Sequence, residues 1–285
     1  MIQLINRNLK QYFRDRAAVF YSLLSVFIVF GLYIFFLGDM MTNGMHEKLE
    51  GVKFLMDSWI MAGILAITGM TTTLGAIGGM VEDEEKKITK DFLTSPLKRT
   101  RLAGAYIVGA FVIGVIMSLI AFILAELYIV LRGGEWLSFS SMLKVIGVIL
   151  LSVFSSSSIV LFIVSFFKTM NAFAAISTVV GTALGFLTGI YIPIGSLNPT
   201  IQFFIKIFPV SYSGSLFRKI MMEQAISKTF AGAPASVTDS FAQSMGVVYQ
   251  FGDTTVSTAV SVGILIVTAL LFYGLAIMRI MKKKK

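Results

Sequence analysis

Residues 58–131 read SWIMAGILAITGMTTTLGAIGGM, then VEDEEKKITKDFLTSPLKRTR, then LAGAYIVGAFVIGVIMSLIAFILAELYIVL. Two long apolar runs are thus separated by one short charged segment. An α-helix rises 1.5 Å per residue and needs about 20 apolar residues to cross about 30 Å of hydrocarbon. Ser58–Met80 and Leu102–Leu131 both meet that length. The charged segment between them is short enough to turn the chain back into the membrane. Working outward, four further windows qualify: Ala17–Leu37, Leu143–Phe167, Asn171–Ile192 and Val256–Ile280. Helix is the expected conformation for all six, because a lipid-exposed backbone must satisfy its own hydrogen bonds. The alternation of a membrane barrel is absent. The expected fold class is an all-α polytopic membrane protein with six spans, organised as a single transmembrane domain over 1–285.

Composition agrees. Of 285 residues, 56% are hydrophobic and 14% charged, whereas a soluble domain carries roughly a quarter charged. The formal net charge is +9, but the basic residues cluster at the ends of apolar runs and form no face interleaved with aromatics. Nucleic acid is therefore not an expected partner. There is no cysteine and one histidine. His46 sits in a polar loop without a second ligand, so it reads as a surface residue and no metal site is expected. The first apolar run lacks a small-residue cleavage site and reads as a retained helix.

Orientation follows from Lys and Arg, which favour cytoplasmic loops. Arg7, Lys10, Arg14, Arg16, Lys86, Lys87, Lys90, Lys98, Arg99, Arg101, Lys168, Arg279 and Lys282 to Lys285 fall on one side. They make sixteen of the 24 basic residues, leaving eight opposite. Both termini are expected in the cytoplasm. Trp59, Tyr128, Trp136 and Tyr191 fall near the opposite boundary, where interfacial aromatics belong. The lysine tail reads as a stop-transfer anchor or as a patch for anionic lipid.

Three segments are not simple spans. Residues 1–16 place Ile2, Ile5, Leu9, Tyr12 and Phe13 near one helix face and Gln3, Lys10, Gln11 and Arg14 on much of the other. That pattern suits a helix lying in the headgroup plane. In 82–97, Glu82, Asp83, Glu84 and Glu85 are expected to open a short helix, since unpaired N–H groups there favour negative charge. Ile88 and Phe92 share a face with Leu93 alongside, and Ser95-Pro96 ends the helix. The segment reads either as a helix docking on a soluble partner or as a solvated loop. In 193–255, Pro193, Pro199 and Pro209 cut the chain into pieces too short to cross. Short re-entrant helices are expected first, then an external helix over Ser211–Phe230 and an extracellular loop over 231–255.

Taken in order, these segments resemble the permease subunit of the type-2 ATP-binding-cassette (ABC) transporter family. LKQYFRDR before span one, EDEEKKITKDFLTSPLKRTRLAGAY as coupling segment, and IPIGSLNP followed by FPVSYSGSLFRKIM as outer segment carry the likeness. It covers nearly the whole chain. The family's usual glycine in the coupling segment is absent, Thr89 standing near its place. The resemblance implies an exporter half in a bacterial cell membrane, moving a hydrophobic, peptide or lipid-like substrate outward. It also implies two ABC ATPase subunits docking on Glu84, Glu85, Ile88, Phe92, Leu93 and Pro96, and a second permease chain, identical or homologous. Membrane lipids complete the expected surroundings. Read independently, the chain has no G-x-x-x-x-G-K phosphate loop. ATP and Mg are therefore expected in the partner ATPase, with no cofactor on this chain and no catalysis by it. A membrane-embedded enzyme would need inward acid or histidine clusters that the sequence lacks. A pump-independent immunity or channel protein is the alternative.

Inside the spans, Ser177, Gly181, Gly185 and Gly189 recur every four residues. Such a stripe lets another helix approach closely, either at a permease–permease seam, near which the family places span five, or within one chain. Gly75 and Gly79 form a second pair, read as internal packing. Glu126 reads as the one acid within a span. It is either a structural glutamate near the outer interface or a ligand on the transport path. The Ser155–Ser158 run is expected to bond back to its own helix.

Overall fold

The computed structural model describes residues 1–37, 51–89, 92 and 99–282. His46, Leu93, Pro96, the Ser95-Pro96 stop and the last three lysines lie outside the described residues.

The described chain is helical apart from one small hairpin. It runs α1 Ile2–Arg14, α2 Arg16–Leu32 continued by a π-helical turn Tyr33–Leu37, α3 Val52–Glu85, α4 Arg99–Leu131, α5 Phe139–Val164 and α6 Met170–Leu187. After a 3₁₀ turn at Ile194–Ser196 come α7 Pro199–Ile207, α8 Pro209–Met221, α9 Glu223–Thr229 and α10 Ala235–Ser244. The strands β1 Gln250–Phe251 and β2 Thr254–Thr255 pair antiparallel before α11 Thr258–Lys282. Among the described residues five helices, α3, α4, α5, α6 and α11, are long and apolar enough to cross a membrane, and the pair α1 and α2, bent by 73°, brings the count to six when taken as one broken span.

Local chemistry sets the boundaries. Ser138 Oγ accepts the Ser141 N–H at 3.1 Å, so α5 starts four residues before the apolar run itself. Asn198 caps α7 by accepting the Ile201 N–H at 2.9 Å, and Pro199 occupies the first turn, where its missing N–H costs nothing. Span five ends at Leu187, earlier than the apolar window, because Gly189 turns the backbone with φ +65°.

Span two departs most from expectation. At 34 residues α3 is about 51 Å long and runs through the acidic cluster. Glu82–Glu85 therefore close span two and do not open a new helix. A helix C-terminus repels carboxylates, and local cations compensate here: Asp83 is paired with Arg7, and Glu82 with Lys86 one turn on. Lys87, at φ +61°, then breaks the helix. A left-handed turn of the kind glycine favours thus exists in this segment, two residues before Thr89, and a lysine adopts it at a cost of about 1 kcal/mol.

The core forms around α3, whose best membrane-length window is 89% buried, against 17% for α6. The α8 helix packs into this core beside α3, α5 and α11. It buries Val210 to Arg218 without a break, and the one helix expected over Ser211–Phe230 is instead two, α8 and α9, broken at Met222. Trp59 is likewise wholly buried, with Nε1 donating to the Met245 carbonyl at 2.7 Å. It is a core residue, whereas Trp136 is 54% exposed.

Candidate functional site

The end of span two gathers four other elements. Asp83, nearly inaccessible, accepts hydrogen bonds from both terminal nitrogens of Arg7, at 2.6 and 2.7 Å, and from Tyr106 Oη at 2.5 Å. Arg7 belongs to α1 and Tyr106 to α4. Its pairing with Asp83 raises the Arg7 pKa still further, so the guanidinium stays charged. The Phe92 ring lies over that guanidinium at 5.3 Å. Glu85 accepts the Met170 N–H at 3.3 Å, a carboxylate at the N-terminus of α6. Ile88 is half-buried beside this cluster in sequence. Of the expected coupling residues, Glu85 thus contacts span five and Phe92 contacts α1, while Leu93 and Pro96 lie outside the described residues. From sequence, Asp83 reads only as part of an acidic helix start and Arg7 only as a topological cation, and Tyr106 gives no signal. The signal available was an acid at the end of a span facing an arginine-bearing amphipathic helix.

A groove of about 750 Å³ opens beside this cluster, between α1, α2, α3 and α6. Its wall is apolar or weakly polar: Tyr12, Ser22, Thr71, Gly75, Ser177 and Gly181, with Asp15 and Glu82 among its charged lining. Tyr12 Oη and Ser22 Oγ bond at 2.5 Å and tie α1 to α2 across the wall. Such a surface suits amphipathic molecules better than ions or sugars, because it offers small side chains and few charges.

The four-residue stripe divides. Ser177 bonds back to the Phe173 carbonyl at 2.7 Å and, with Gly181, lines the groove. A side chain at Gly181 would meet nothing within 4 Å. At Gly185 a Cβ would fall 2.1 Å from the Tyr191 ring, and Gly189 lies past the helix end. Gly75 packs on Ser22 of α2, whereas Gly79 borders open space.

At the other end of the spans Asp57 is buried, accepts from Tyr33 Oη at 2.7 Å and stands 3.7 Å from Arg132 Nε. It escaped the sequence reading because it falls one residue outside the apolar window. Glu126 accepts the Leu137 N–H at 3.1 Å and so fastens the α4–α5 turn; it does not line the groove. Ser157 and Ser158 bond to carbonyls four residues back. Arg218 is 1% exposed, stacks over Trp59 at 5.0 Å and donates to the Thr188 and Gly189 carbonyls at 2.9 and 3.0 Å. An arginine in a proline-bounded loop gave no sign of being buried.

A model of the ABC-2 type transporter family matches residues 1–222. The chain belongs to the ABC-2 type transporter family. No curated protein matches it. This ABC-2 chain is a multi-pass membrane permease of an ABC transporter and not a nucleotide-binding domain, and ABC-2 permeases normally work with ATPase partners. The match takes in the whole of α8, so this buried helix is part of the ABC-2 region.

Proposed function

We propose that this ABC-2 permease is one membrane half of an exporter, driven by two separate ATPase subunits bound at the 82–97 segment. The observation that carries the reading is the Asp83 cluster. A displacement of the coupling segment there reaches α1 through the Phe92–Arg7 contact, α4 through Tyr106 and α6 through Glu85. A buried carboxylate held by three donors resists separation, since breaking such a pair costs about 3 kcal/mol. The cluster therefore moves as a unit, and the groove walled by α1, α3 and α6 changes shape with it.

The groove is the proposed path for a hydrophobic, peptide or lipid-like substrate. A second permease chain covers α6, whose membrane-length window is the least buried of the five long apolar helices. In this reading both termini lie in the cytoplasm of a bacterial cell, and ATP with Mg binds the partner ATPases. The test is to tag the full chain, purify it from its native membranes, and assay vanadate-sensitive ATP hydrolysis. An ATPase chain should co-purify with that activity. A chain isolated intact, without any ATPase, sinks the exporter reading.

A further inference from the structure

The α1 helix carries a surface that the coupling reading does not use. Ile2 and Phe13 are 75% and 40% exposed, with Ile5 and Leu9 half-buried between them. At 3.6 residues per turn these four make one apolar ridge. Beside the ridge runs a polar strip of the same helix formed by Arg7, Lys10 and Arg14, with Gln3, Asn6 and Gln11 among them and Asp15 at its end. Arg7 is committed to Asp83. Lys10 and Arg14 are exposed and have no hydrogen bond or ion pair among the described residues.

Two demands meet on this helix. The cations call for an anion from outside the chain, and the ridge calls for hydrocarbon. A soluble anion would leave the ridge in water, and a zwitterionic lipid would carry no net charge to the two cations. One molecule that meets both demands is a phospholipid with an anionic headgroup. The placement fits, because α1 is bent by 73° from the following helix and so runs across the span axis, the attitude of a helix lying in a headgroup plane. We propose that α1 holds an anionic phospholipid, its phosphate against Lys10 and Arg14 and its acyl chains along Ile2, Leu9 and Phe13.

The absence of cysteine allows a clean test. Ala17→Cys, exposed just beyond α1, is labelled with bimane and the full chain is reconstituted in phosphatidylcholine vesicles. Quenching is compared between a minor fraction of dibrominated phosphatidylglycerol and the same fraction of dibrominated phosphatidylcholine. A basic side chain beside anionic headgroups contributes about 1 kcal/mol, a factor of about five. Phosphatidylglycerol should therefore be enriched at the reporter about five-fold or more over phosphatidylcholine. Lys10→Gln with Arg14→Gln should bring the ratio to about one while phosphatidylcholine quenching stays unchanged, which also shows that the variant is inserted and folded. Equal quenching by the two lipids in the unaltered helix overturns the proposal, as does enrichment that survives in the double variant. Loss of the enrichment on adding inorganic phosphate would assign the strip to a free anion and overturn the lipid. No ATPase takes part, so the outcome is independent of the exporter reading.

Discussion

Gly185 and Arg218 show how single residues fix the chain around the end of α6. Gly185 is small because Tyr191, six residues on, folds back against it. Gly185→Leu should therefore lower stability by about 3 kcal/mol through overpacking, seen as a drop in Tm of the detergent-solubilised chain. Adding Tyr191→Ala should restore much of that loss, because the obstructing ring is gone. No drop in Tm would show that the ring yields freely. Arg218 joins three elements: it stacks on α3 through Trp59 and holds the last carbonyls after α6 from its own place on α8. Arg218→Met fills the volume but leaves two buried carbonyls without their donor, each worth about 1–3 kcal/mol when buried unpaired. Amide exchange at residues 188–192 should then accelerate more than exchange in the middle of α3. Unchanged exchange there would mean the arginine fills space only.

At the scale of elements, span five is the least buried of the five long apolar helices, and its small residues do not act together. Ser177 and Gly181 face the groove, while Gly185 and Gly189 are occupied within the chain. A second permease chain can therefore approach α6 over its first half. Gly181→Cys should form a disulfide with its copy, or with a homologous chain bearing the matching cysteine, in membranes treated with a mild oxidant. Gly185→Cys should not. Crosslinking at neither position in an intact complex would remove α6 from the seam.

The same scale shows what the sequence made legible. Apolar runs of 20 residues announced the six spans because nothing soluble needs them. The acidic cluster misled, since Glu82–Glu85 suit a helix N-terminus until Arg7 and Lys86 are known to compensate them from outside and from the next turn. The α8 helix was illegible for another reason. Its serines and Arg218 look external, but Ser211, Ser213 and Ser215 all donate to nearby carbonyls, which removes most of the cost of burying them. Only tertiary contacts decide that. The charge of Asp57 was missed by one residue of window placement.

Over the whole molecule, the two buried acids of α3, Asp57 and Asp83, fall at opposite ends of that helix. The Asp83–Arg7–Tyr106 cluster closes one end of α3, and Asp57 with Tyr33 closes the other, 26 positions earlier in the same helix. The span two helix is thus a pillar pinned at both ends, and the groove lies along it. The basic residues predict which end faces the cytoplasm. With cysteines at Lys86 and Ser236, an impermeant thiol reagent added to intact cells should label Ser236→Cys and spare Lys86→Cys. The reverse pattern would invert the protein in the membrane.

The central claim is that a separate ATPase drives this permease through the segment after α3. The most direct test is the amount of ATPase chain that co-purifies with Ile88→Asp/Phe92→Asp relative to the unaltered protein. Both positions trade an apolar side chain for a carboxylate, and burying that charge in a partner groove is costly. The account predicts normal insertion and an ATPase yield reduced about ten-fold or more. Full ATPase recovery with vanadate-sensitive hydrolysis intact would contradict it.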